Sequence, residues 1–105
     1  MPNYSQTHDL DEKFFERADA HIQLANKHMN EQGNSEMVNT SFLYAASRFN
    51  AWISAAGLTN VEEMKAKRQE LIDYFVDQYT SMLEENLDNY IDNYDLYLRT
   101  NKEEQ

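Results

Sequence analysis

At 105 residues, with a formal net charge of −10 and no cysteine, the chain is long enough for one hydrophobic core and too short for two ordinary domains. It also offers neither a disulfide framework nor a thiolate metal site. One tryptophan, five phenylalanines and seven tyrosines exclude a wholly disordered chain, because so much apolar surface needs burial.

Pro2, Gly33 and Gly57 are the strong backbone breakers. A β-sandwich or barrel would need turn residues about every 8–12 positions, so the expected class is all-α. The start, MPNYSQTHDL, lacks a basic segment followed by an apolar one, and no apolar run reaches the roughly 18 residues of a membrane helix. Secretion and membrane spanning are not expected, and the absence of cysteine fits a cytoplasmic location. The charge is uneven: residues 1–68 carry 9 acids and 7 bases, whereas residues 69–105 carry 10 acids and 2 bases. Lys65, Lys67 and Arg68 stand beside Glu62, Glu63 and Glu70, which leaves no basic patch for nucleic acid.

Residues 1–8 are polar and aperiodic and read as a tail, with one helical domain over 9–98 and a polar tail over 99–105. The first helix is expected to begin near Asp9 or Asp11, whose side chains suit a helix N-terminus, and to run to about Glu31. Phe14, Phe15, Ala18, Ile22, Ala25 and Met29 fall in a sector about 100° wide, the face of a core-packing helix. Arg17, His21, Leu24 and His28 line its flank. EQGNSE then turns the chain.

A second helix, Met37 to Ala56, is strongly apolar and carries Arg48 as its only charge. Gly57 is the expected stop, and Thr59-Asn60-Val61-Glu62 matches a capping box for a third helix. From Asn60 to about Leu98 there is no glycine or proline. An apolar stripe runs from Leu71 to Leu98, with Glu70, Asp77, Glu84, Asp88, Asp92 and Asp95 opposite it. The expected architecture is a three-helix, bundle-like domain with a long C-terminal helix, either continuous or bent near residues 86–89, where Asn86 and Asn89 have low helix propensity, to fold the last segment back as a fourth short helix. At about 58 Å a straight third helix outruns two neighbours of about 30 Å each. Leu87, Tyr90, Ile91, Tyr94 and Leu98 then become an interface, since an apolar stripe left in water marks one.

Chemical motifs are few. The acids do not form the Glu-x-x-His pattern of di-iron bundles. The run from Asp88 to Asp95 lacks the glycine and terminal glutamate of a calcium loop. His21 and His28 are separated by about 10 Å of helical rise, too far to share one ion. No phosphate loop or nucleophile elbow occurs, so no cofactor, metal or catalytic residue is assigned and enzymatic activity is the minority reading. Arg48 must reach solvent or find a carboxylate such as Asp19. It is also the candidate for an anion-binding pocket with His21 and Asn50.

The strings FFERADAHIQLAN, SFLYAASRFNAW and YFVDQYTSMLEENLDNY, within residues 13–94, resemble a small proteobacterial family known as domain of unknown function 3144. The resemblance implies an all-helical bacterial protein and supplies no activity. It draws attention to Arg17, Asp19, Asn26, Arg48 and Asn50, the polar members of the matching strings, as a polar cluster between the first two helices whose expected role is a satisfied buried network. The leading functional expectation is a structural or interaction protein forming a homo-oligomer, a dimer, through the third helix. The alternatives are an adaptor offering its acidic face to a basic protein partner, and a small-molecule or anion-binding domain around Arg48.

Overall fold

A computed structural model of the chain describes residues 11–99. The described residues contain three long helices and no strand: α1 (Phe14–Gln32), α2 (Ser35–Ala56) and α3 (Val61–Asp92), followed by a π-helical turn (Asp95–Arg99). The all-α class is as expected. Asp9 and the tail over 1–8 lie outside the described residues, as do residues 100–105.

Helix boundaries follow local hydrogen bonding. α1 starts at Phe14, beyond a turn in which Phe14 N–H donates to the Asp11 carbonyl (3.1 Å) and Lys13 N–H to Asp11 Oδ1 (3.0 Å). It stops at Gly33, where φ is +75° and the amide donates to Met29 O at 2.7 Å. This left-handed closure strains any residue with a Cβ.

Asn34 then opens α2 from an extended conformation, its Oδ1 accepting from Met37 N–H at 3.1 Å. That bond starts the helix at Ser35, two residues before the expected Met37. Gly57 ends α2 in right-handed conformation (φ −85°), donating to Ile53 O at 3.1 Å, so no left-handed stop is used there. The cap of α3 is Asn60, whose Oδ1 accepts from Glu63 N–H at 2.9 Å. The expected Thr59–Glu62 box is displaced by one residue, because the asparagine amide oxygen reaches an N-terminal amide as well as a threonine hydroxyl does.

The described chain divides into two compact units, one ending at Gln69 and the other beginning at Glu70. In the first, α1 and α2 form a helical hairpin across the Gly33–Asn34 turn. Val38, 8% exposed, is the one buried hydrophobic residue among those described. The second unit consists of the rest of α3 and the π-helical turn. α3 runs through Asn86 and Asn89 without a break, so the bend at residues 86–89 is not present. The departure comes at Asn93, whose backbone N–H (3.1 Å) and side-chain amide (2.9 Å) both donate to the Asn89 carbonyl. Such side-chain competition weakens the helical ladder, and the α-helix expected to reach Leu98 ends at Asp92.

Candidate functional site

The hairpin holds an open cleft of about 510 Å³. α1 contributes His21, Leu24, Ala25 and His28, positions i, i+3, i+4 and i+7 of one helical face. α2 contributes Val38, Phe42, Ala45, Ala46 and Phe49 at the same kind of spacing, with Ser41 and Asn50 as polar members. His28 pairs with the beginning of α2 and His21 with its later turns, as antiparallel helices require. Small side chains at positions 25, 45 and 46 leave the space. His21 is exposed and His28 half-buried. Phe49 stacks on Trp52, with ring centroids 6.2 Å apart and planes at 23°, and Trp52 is itself 64% exposed.

The cleft lies at the edge of the expected core sector of α1: Ala25 of that sector lines it and Phe14 and Ala18 are half-buried, while Phe15 and Ile22 are 59% and 50% exposed. The flank residue Leu24 is exposed to a similar degree, 51%.

Of the five polar residues singled out in the sequence, Asn50 lines the cleft, half-buried. Its carbonyl accepts from Ser54 Oγ at 2.8 Å. Arg17 is engaged elsewhere, its guanidinium donating to Asp11 Oδ2. This bond, with the Lys13 amide, holds the Asp11 carboxyl below the usual carboxylate range. Asp19 and Asn26 are exposed, roughly 140–160° around α1 from His21 at 100° per residue. Arg48 is exposed and, among the described residues, takes part in no ion pair; the expected pairing with Asp19 is absent. A solvated guanidinium keeps its hydration and needs no carboxylate. His21 and Asn50, the two residues expected beside Arg48 in a pocket, do line one cleft, and Arg48 is not among its walls. Among the described residues no three His, Asp or Glu side chains converge as a metal site would require.

In the second unit Leu87, Tyr90 and Ile91 lie on α3 and are 53%, 49% and 69% exposed. Tyr94, also exposed, follows the end of α3, and Leu98 sits half-buried in the π-helical turn. The Tyr90 ring packs edge-to-face on Tyr97 at 5.4 Å. Tyr97 was absent from the expected stripe, although its seven-residue spacing from Tyr90, two helical turns, was the signal that could have placed it there.

A family model described as "Protein of unknown function (DUF3144)" matches residues 14–91. The chain belongs to that family. The DUF3144 match takes in α1, α2 and all but the last residue of α3. A Shewanella sp. protein, NB7890A, solved by NMR, is similar in fold, with a TM-score of 0.68 and 37% identity over 86% of this chain and 95% of that one. No curated protein matches the chain. No helix among the described residues of this DUF3144 protein is long and apolar enough to cross a membrane.

Proposed function

We propose that this DUF3144 protein is a structural or interaction protein that self-associates as a dimer through the C-terminal half of α3. The observation that carries the reading is the uninterrupted course of α3 to Asp92. Its 32 residues extend about 48 Å, against about 33 Å for α2 and 28 Å for α1. The last third of α3 runs from Leu83 to Asp92. That stretch carries Leu83, Leu87, Tyr90 and Ile91, all exposed. A contiguous apolar stripe of this kind is a docking surface, and aromatic side chains dominate the energetics of such surfaces.

The test is native mass spectrometry of the purified chain and of the Tyr90→Glu/Tyr94→Glu variant. The wild type is expected as a dimer and the double variant as a folded monomer with unchanged helical circular dichroism. A wild-type monomer overturns the reading and favours an adaptor. The seven acids and no base between Glu70 and Asp92 would then meet a basic protein partner, with salt-sensitive binding.

A further inference from the structure

We propose that the face of α2 centred on Arg48 is a docking surface for a partner protein, which it takes by an extended segment carrying a carboxylate between two apolar side chains. Neither the α3 stripe nor self-association enters into it.

Tyr44, Arg48 and Trp52 stand on three successive turns of α2, four residues apart and within about 80° of one another around the helix. All three are exposed, the two rings at 64% each, and none of them lines the α1–α2 cleft. Tyrosine, tryptophan and arginine are the side chains that carry most of the binding energy where proteins meet. Trp52 is also held: its ring stacks on Phe49, so it has less rotamer freedom to lose on binding.

Charge names the occupant. Arg48 is the one charged residue between Met37 and Ala56, and among the described residues it takes part in no ion pair. The acids of the hairpin do not neutralise this face. Glu36 stands about 18 Å back along the helix, beyond the Debye length of about 8 Å at physiological salt. Glu31 bridges to Lys27 and Glu16 to Lys13, while Asp19 lies roughly 160° around α1 from His21 of the cleft. The guanidinium and the indole N–H only donate, and the tyrosine hydroxyl can do so too. Together they call for an acceptor, and a carboxylate is the one that a guanidinium grips with two parallel hydrogen bonds.

Spacing supplies the rest of the motif. Positions i and i+4 lie about 6 Å apart along a helix, and alternate side chains of an extended chain lie about 6.6–6.8 Å apart on one face. An apolar–x–acid–x–apolar segment therefore sets its carboxylate on Arg48 and its apolar side chains on the Tyr44 and Trp52 rings.

The probe is the capped pentapeptide LSESL, with LSQSL as its uncharged counterpart, each titrated into full-length isotope-labelled protein and followed by NMR at about 0.15 M salt. The expected result is that LSESL shifts the Trp52 indole N–H and the α2 amides around Arg48, and binds about three- to fivefold more tightly than LSQSL, as an exposed ion pair allows. Arg48→Gln, a surface change that keeps the helical circular dichroism, removes that preference. Arg48→Lys retains part of it, because lysine keeps the charge and lacks the planar fork. Equal binding of the two peptides by the wild type, no shift at millimolar peptide, shifts confined to cleft residues such as Ala25 and Phe42, or a preference that survives Arg48→Gln each overturn the proposal. A wild-type dimer that becomes monomeric in Arg48→Gln also overturns it, by giving the face to a second copy.

Discussion

Asp11 does two jobs at the entrance of α1. One carboxylate oxygen accepts from Lys13 N–H, and the other from the Arg17 guanidinium. Each bond favours the charged form, the arginine most, and the carboxyl therefore titrates below its ordinary value. The sign follows directly: a depressed native pKa contributes stability that is present above the unfolded-state value and is lost as pH falls through the native one. The pair is exposed, with side-chain exposures of 59% and 39%, so water screens it and its energetic weight is small. The expected outcome is that a carboxyl-detected NMR titration finds Asp11 below the ordinary aspartate value, and that Arg17→Ala returns it toward that value. An unchanged midpoint in the variant would show that the arginine is not the cause. Arg48 makes the opposite case: an apolar helix in sequence need not bury its lone cation, and here the guanidinium keeps its water.

Elements depend on their ends as much as on their faces. Asn60, and not Thr59, accepts the amide hydrogen bond that starts α3. Replacing Asn60 by alanine is expected to cost about 1 kcal/mol in a denaturant melt, the usual worth of such a cap, while Thr59→Ala costs a few tenths. The reverse order would restore the Thr59 capping box.

The periodicities of the sequence located all three helices and the Gly33 turn, because apolar spacing and breakers are local properties. They missed by a residue or two at the starts of α2 and α3, where Asn34 and Asn60 compete with neighbouring polar residues for the same amides. The facing of α1 was legible in part: Ala25 of its apolar sector lines the cleft beside His21, Leu24 and His28 of the flank, and the share that each row takes depends on the alanines of α2, which no reading of α1 alone contains. The end of α3 at Asn93 has a local signal, the Asn89–Asn93 spacing, but low propensity marked Asn86 and Asn89 equally. For the candidate site, the sequence pointed to His21 and Asn50 as cleft neighbours, while Ser41 and the small residues of the floor carried no mark of their own.

At the scale of the molecule the governing fact is how little is covered: among the described residues Val38 is the one buried hydrophobic side chain, while Phe15, Trp52, Val61, Ile91 and Leu96 each remain about 60–70% exposed. Helices of this length gain most of their stability from packing an apolar face, since isolated helices are marginal in water. If part of that packing is supplied by a second copy, association adds to the stability of each folded chain, and the melting temperature must rise with protein concentration. A hundredfold increase is worth about 2.7 kcal/mol, shared between two chains. At roughly 4–8 °C per kcal/mol for a domain of this size, that is a shift of several degrees. Added salt should raise the midpoint further, because each copy brings a net charge of −10 and screening relieves their repulsion. Differential scanning calorimetry across that concentration range is the measurement, with Tyr90→Glu/Tyr94→Glu as the control in which the dependence disappears. A wild-type midpoint independent of concentration would mean that each chain covers its own helices, and the self-association reading would fall with it.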